Sequence, residues 1–307
     1  MDSTCPLISV VLTTYNRSHL LLKCVNSVLD GKYENFELII VNDASTDDTA
    51  IVAAGISDPR VQYFELEENK GVLAARNFGF DIATGDYITI LDDDDILVTD
   101  ALQKVYEEFS SVHNGQAEIL WFDCVDQERG EISGTMPING RGVIKFSDYV
   151  CGMIYGDFWL VFKKNVLDGA RFDERLRAHE SLFWLQLHRQ HEAVYVQFVA
   201  CKKYREHGER LCDLEQRLKQ LKPTTLAMSE FMKIFGEDLL NLCPRRYGEK
   251  LAYLGLHQML TGNFCTGRRS VLCSLRYKLS VRYFGLYLLS FFLSDKQLLK
   301  IYISLEA

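Results

Sequence analysis

The sequence predicts an α/β protein: a sheet flanked by helices, followed by a helical C-terminal region. Three observations carry this. Short β-branched runs alternate with helical periods four times within the first hundred residues. Most of these runs end in a polar or acidic cluster. From about Asp213 onward Leu-rich helical stretches take over, with only Pro223 and Pro244 to interrupt them.

The elements follow in order. "LISVVLTTYN" is a buried strand ending in a loop, and "SHLLLKCVNSVLDG" is a helix with Ser18 as cap and Gly31 as its close. "FELIIVNDAST" repeats the strand and loop, and "STDDTAIVAAGI" reads as a capped helix with acids in its first turn. "VQYFELEENKG" is a third strand, "VLAARNFGFDIATG" a third helix closed by Gly85, and "DYITIL" a fourth strand. Such alternation makes a parallel, three-layered sheet, whose ligands bind beyond the carboxyl ends of the strands. Thr13 to Arg17, Asp43 and Asp92 to Asp95 fall there. Further on, "AEILWFDCVDQ", "DFWLVFKKNVL" and "AVYVQFVACKKYREH" read as strands and "HESLFWLQLHRQ" as a helix. A soft boundary near Cys212 divides the chain into 1–212, with halves at about 1–100 and 101–212, and a helical region 213–307.

The 307 residues allow one large domain or a domain with an appendage. A net charge of −8 argues against a general nucleic-acid binder. The charge is uneven: from Asn241 onward there are 10 Lys/Arg against 3 Asp/Glu, or +7, which leaves −15 on the preceding 240 residues. An acidic body with a basic tail suggests an anionic partner for the tail. The nine cysteines are scattered, odd in number and never spaced Cys-x-x-Cys, the pattern of reduced thiols in a cytosolic compartment. No signal peptide and no transmembrane helix is expected, so the expected location is cytoplasmic.

The run Asp92 to Asp95 follows an apolar strand directly. Adjacent carboxylates repel one another, and the bland reading is a solvated surface. The sharper reading is a site for a hard divalent cation, Mn²⁺ or Mg²⁺, with a diphosphate as its anionic ligand.

Taken together, "SVVLTTYNR", "ELIIVNDASTDDT", "NKGVLAARNFGFDIATGDYITILDDDD" and "YREH" resemble the inverting family 2 glycosyltransferases of bacterial surface-polysaccharide type. The resemblance is continuous over about 8–96, intermittent to about residue 207 and absent from the last hundred residues. It implies a GT-A fold, a Rossmann-like mixed sheet. It also implies a sugar transferred from a UDP-sugar to a glycan acceptor, lipid-linked or part of a surface polysaccharide, with a β-linkage formed.

The resemblance assigns roles. Thr13, Thr14, Tyr15 and Asn16 match the loop that holds the nucleotide base and ribose, with Tyr15 as a stacking surface. Asp43 matches the aspartate that hydrogen-bonds uracil, although it could instead cap the next helix. Gly71, Arg76 and Asn77 match the segment that shapes the rest of the nucleotide pocket, with a surface ion pair the alternative for Arg76. Asp92 and Asp94 fall on the defining positions of the Asp-x-Asp motif. Asp94 is the implied metal ligand, with Asp92 or Asp93 nearer the ribose and sugar. His207 matches a histidine that completes the metal site, and Arg205 could face the diphosphate as a bidentate donor. An inverting transfer needs a base. The family presents Glu-Asp at a helix start, whereas this chain has His179-Glu180 in "RAHESLFW". Glu180 is the candidate base and His179 the second, and an acid favoured by the helix dipole is the plain alternative for Glu180. Trp159 could stack on an acceptor sugar or belong to the core.

"GRRSVLCSLRYKLSVRYFGLYLLSFFL" interleaves basic with apolar residues. It reads as a peripheral membrane contact at the inner face of the cell membrane, or as a helical cap or homodimer contact. A transferase has two rivals. A sugar-nucleotidyltransferase would need a glycine-rich basic loop that "TTYNRSH" does not supply. A nucleotide-binding GT-A module that has lost catalysis would explain the unusual "HES" but not the intact aspartate run.

Overall fold

The computed structural model describes residues 5–111, 117–176, 179–204, 214–278 and 280–304. The chain forms two compact units, Met1–Glu206 and His207–Ala307.

The first unit is built on one mixed sheet. Strands β1 (Ile8–Thr14) and β2 (Phe36–Asn42) are buried at every residue. That is why they read as continuous apolar runs rather than alternating ones: both faces of the sheet are covered. β1 pairs in parallel with β2 and with β4 (Tyr87–Asp92), and β2 in parallel with β3 (Val61–Glu65). The connections are α1 (Ser18–Leu29), the short α2 (Thr49–Ala54) and α3 (Val72–Ile82). A Cβ on Gly79 of α3 would lie 2.2 Å from Val11 Cγ1, so the absence of a side chain lets α3 seat directly on β1.

Past β4 the sheet changes sense. Then come β5 (Asp95–Leu97), α4 (Ala101–Ser110) and β6 (Ile119–Asp126). The short pieces β7 (Glu131–Ile132), β8 (Gly134–Thr135), β9 (Arg141–Ile144), α5 (Phe146–Val150) and β10 (Tyr155–Gly156) follow. β11 (Phe158–Lys163), α6 (Ser181–Gln190) and β12 (Ala193–Lys203) complete the unit. The order along the sheet is β3-β2-β1-β4-β11-β6-β12-β5, and β11 runs antiparallel to both β4 and β6. This is the mixed sheet flanked by helices that the sequence leads one to expect. Apolar cores line both faces, around Val10, Leu12 and Phe122 on one and Val11, Ile39 and Phe162 on the other.

Two details differ from the expected caps. Ser18 is the first residue of α1, and no side chain of its own segment caps the helix; instead its N–H donates to Asp47 Oδ2 at 3.0 Å. The loop after β2 therefore holds the start of α1. Asp47 also accepts from the N–H of Thr49, so the acids expected inside α2 sit just ahead of it. Cys5, Cys24, Cys124 and Cys201 carry free thiols, whereas Cys151 is disulfide-bonded, a departure from an all-reduced set.

The second unit is helical, as the leucine-rich sequence implies: α7 (Leu214–Leu242), α8 (Pro244–Leu260), α9 (Phe264–Ser274), α10 (Val281–Leu289) and α11 (Asp295–Ser304). Leu256, Met259, Val271, Leu286 and Leu298 form its core. Among the described residues no helix is long and apolar enough to cross a membrane.

Candidate active site

The four aspartates straddle a tight turn. Asp92 ends β4, Asp93 and Asp94 make the turn, and Asp95 opens β5. Three basic side chains meet them. Arg17 Nη1 lies 2.8 Å from Asp93 and 2.9 Å from Asp94. Arg76 Nη2 lies 2.6 Å from Asp92. Lys203 Nζ lies 2.5 Å from Asp95 and 3.7 Å from Asp92. The mutual repulsion of the run is thus offset inside the fold. Burial alone would raise the Asp92 carboxyl, but Arg76, then Lys203 and Arg17, outweigh it and hold it at about 2. Asp93 shifts upward, because its burial outweighs the pull of Arg17.

Arg76 carries a second contact. Its Nη1 lies 2.5 Å from Glu180 Oε1, an ion pair off hydrogen-bond alignment, and its Nε has no hydrogen-bond partner among the described residues. Arg76 is 4% exposed and comes from α3; Glu180 stands immediately before α6. One buried guanidinium therefore links the end of β4 to the start of α6.

Two cavities open on this junction. One, of about 530 Å³, is lined by Thr13, Thr14, Tyr15, Asp43, Gly71 and Asp94, among others. The other, of about 460 Å³, is lined by Tyr149, Phe158, Trp159, His179, Trp184 and Lys203, among others. Arg76, Asp92 and Glu180 line both. The first cavity carries the acids Asp43 and Asp92 to Asp94, and the second combines aromatic rings with Asp92, Asp95, Glu180 and Lys203.

A family model described as glycosyl transferase family 2 matches residues 9–167, a little over half of the chain. The chain belongs to glycosyl transferase family 2. It is 32% identical over 194 residues to a Campylobacter jejuni protein named GalNAc(5)-diNAcBac-PP-undecaprenol beta-1,3-glucosyltransferase, covering 60% of each chain. It is 41% identical over 92 residues to the Escherichia coli putative colanic acid biosynthesis glycosyl transferase WcaA, covering 29% of this chain and 33% of that one. The chain thus spans 60% or less of these relatives' length. Residues 1–349 of Staphylococcus aureus TarS, solved with UDP-GlcNAc, superpose with a TM-score of 0.62 at 15% identity, over 88% of this chain and 89% of that one. That likeness shows the fold, a GT-A sheet with helices on both faces.

The family 2 motif residues take these places. Thr13 and Thr14 are buried at the end of β1, and Tyr15 stands 45% exposed at the cavity mouth with its ring free to meet a flat ligand. Asn16 has φ +53°, and its side chain offsets that strained backbone by accepting from the Thr46 N–H at 2.7 Å. It ties the first loop to the second. Asp43 does not cap α2; its two oxygens accept from the N–H groups of Lys70 and Gly71, each at 2.8 Å. Gly71 has φ +90°, which only glycine adopts without cost, and that turn presents the two N–H groups. Asn77 is not among the cavity-lining residues. It donates to Phe172 O and Glu174 Oε1 and accepts from Phe172 N–H, so it braces the segment that leads to Glu180. Trp159 belongs to the core and also lines the aromatic cavity, its indole N–H given to Ile90 O at 3.2 Å. His179 lines the same cavity, and burial lowers its pKa below the ordinary imidazole value, which favours the neutral form. Arg205 and His207 lie outside the described residues.

Reading the sequence for function missed Lys203, and it placed Arg17 at the ligand end of the sheet without giving it a role. In the sequence neither position announces an aspartate as its partner. The oxygens of Asp92, Asp94 and Asp95 come within 4.8 Å of one another. This all-oxygen set fits a hard cation such as Mg²⁺ or Mn²⁺. Asp94 lines the first cavity and its side chain is 23% exposed, against 4% for Asp95, so of these two it is the one open to an incoming ion.

Proposed function

We propose that this protein is a metal-dependent, inverting glycosyltransferase that moves a sugar from a UDP-sugar to a glycan acceptor and leaves a β-linkage. One observation carries the reading: two cavities, one lined by the β1 loop, Asp43 and the aspartate turn and the other by aromatic rings, meet at Arg76, Asp92 and Glu180. A transfer needs two substrates to approach one point from two sides, with a carboxylate at that point.

In this reading UDP fills the first cavity, its base against Tyr15 and within reach of Asp43, and the sugar extends towards Asp92 and Asp93. The cation would be held by Asp94 with its neighbouring aspartates and would screen the diphosphate charge. His207 and Arg205 are proposed to add a metal ligand and a diphosphate donor. The acceptor hydroxyl enters from the aromatic cavity, where Trp159 and His179 line the wall. Glu180 takes the hydroxyl proton as that oxygen attacks the anomeric carbon from the face opposite the diphosphate. The bond to the diphosphate breaks and UDP departs, so the anomeric configuration inverts. Arg76 holds Glu180 in place. The names of the relatives favour an acceptor that is lipid-linked or part of a surface polysaccharide, and the site of reaction we propose is the cytoplasm, at the inner face of the membrane.

The test is UDP release with Mn²⁺ across a panel of UDP-sugars, for wild type and Asp94→Ala. Metal-dependent release with one sugar, lost in Asp94→Ala, is expected. UDP binding without turnover of any donor, in the presence of glycan acceptors, would favour the nucleotide-binding module instead.

A further inference from the structure

α10 carries an apolar stripe that the second unit leaves uncovered. Val281, Leu288, Leu289 and Phe292 are all exposed, Val281 at 82% and Phe292 at 86%. The helical hydrogen bonds continue past Leu289, with Leu293 N–H given to Leu289 O, so Phe292 belongs to the same rod. Positions 281, 285, 288, 289 and 292 repeat at the spacing of one helix face. Gly285 completes the stripe, and a Cβ there would meet nothing within 4 Å. The opposite face is occupied: Leu286 and Ser290 are buried, and Leu286 packs in the unit's core.

The surroundings of the stripe are basic. From Phe264 to Ser294 the chain holds Arg268, Arg269, Arg276, Lys278 and Arg282 and no Asp or Glu, although the whole chain carries −8; Lys278 is ion-paired with Glu249 of α8, which leaves the arginines as the basic groups. Arg276 is exposed on the turn leading into α10, and Arg282 is exposed in its first turn. Arg268 packs its guanidinium 4.0 Å over the ring of Phe291 and donates to Ser290 Oγ at 2.9 Å, which fixes one cation at the edge of the apolar surface.

We infer that this face of α10 docks on an anionic lipid bilayer, with Val281, Leu288, Leu289 and Phe292 entering the interface and the arginines meeting lipid phosphates. A protein partner would need acidic residues around an apolar groove. A bilayer supplies both features at once, and the absence of any acid across the segment complements it. The docking is peripheral, since no described helix can span a membrane. The inference deepens the reading of a lipid-borne acceptor, but its test reads no sugar transfer, so either can fail alone.

The experiment is co-sedimentation of the full chain with phosphatidylglycerol-containing vesicles and with phosphatidylcholine vesicles. Binding to the former is expected, weakened by 0.5 M salt, and reduced about tenfold or more when Val281, Leu288 and Phe292 are all changed to Asp, as loss of three inserted side chains requires. Asp94→Ala should bind as wild type does. Phe292→Trp, which keeps the apolar bulk, should shift its fluorescence to the blue on adding the anionic vesicles, a readout independent of whether the triple variant folds. No sedimentation with either vesicle, or an emission spectrum of the Phe292→Trp variant unmoved by lipid, would overturn the inference. So would a dimer in analytical ultracentrifugation that the triple variant dissolves while vesicles bind neither form; the stripe would then be covered by a second copy.

Discussion

Arg76 sits between Glu180 and Asp92, 2.5 Å from the first and 2.6 Å from the second, so one buried cation fixes the distance between the start of α6 and the end of β4. Under the proposed mechanism these are the two sides of the reaction, the base and the donor-sugar wall. A guanidinium suits the task because its planar fork serves two carboxylates at once.

Arg76→Lys keeps the charge but offers one ammonium to two carboxylates. Turnover is expected to fall about a hundredfold, as for a small misplacement of a catalytic group. Stability should fall by about 2 kcal/mol, below the range for a fully buried pair because Asp92 and Glu180 are each about a third exposed. Donor kinetics and urea unfolding check the two parts, and unchanged turnover would detach Arg76 from the reaction.

At the proposed metal site Arg17 would compete with the cation for Asp94. Removing it in Arg17→Ala should tighten binding of Mn²⁺ alone by up to about tenfold, the Coulomb contribution of one charge a few ångströms away at high dielectric. Electron paramagnetic resonance of free Mn²⁺ in a titration without nucleotide reads this directly. Weaker binding in the variant would show that Arg17 instead shapes the turn.

Lys203 is largely buried beside Asp95, whose side chain is 4% exposed. Lys203→Met would strand that carboxylate, and a loss of about 3 kcal/mol is expected from the unpaired buried charge. Lys203→Arg should recover part of it. A variant as stable as wild type would mean that Asp95 is protonated in the fold.

Much of this was readable in the chain. Over 8–97 each β-branched run becomes a strand and each polar cluster a loop at its carboxyl end, because burial on both faces and helical periodicity are local signals. Glu180 stands at the start of a helix as its sequence context implies. The contacts of Lys203 were not readable: they depend on β12 running antiparallel to β5 with Lys203 opposite Asp95, a pairing 108 residues apart. Arg17 reaches its aspartates across 76 and 77 residues for the same reason. The role of Asn77 as a brace depends on a loop 95 residues away. The two-residue strands β7, β8 and β10 are too short to carry a period.

Glu37 gives a pH prediction. Its burial would raise the carboxyl pKa, but donation from Ser9, Thr84 and Gly85 outweighs this and lowers it below the ordinary value. A lowered folded pKa adds stability that is present above the unfolded value and lost as pH falls through the folded one. Glu37→Gln should therefore cost about 1–3 kcal/mol at pH 7, where the carboxylate is charged and accepts these bonds, and progressively less below about pH 4.5. Urea unfolding at pH 7 and pH 3.5 checks it; an equal cost at both would contradict the charged acceptor.

The most direct test separates binding from chemistry in Glu180→Gln. UDP affinity in the presence of Mn²⁺ is measured by calorimetry, and donor turnover by UDP release. The expected result is near-unchanged affinity with turnover down about a hundredfold or more, the effect of losing a positioned base. Turnover equal to wild type would contradict the central claim that Glu180, at the meeting point of the two cavities, takes the acceptor proton.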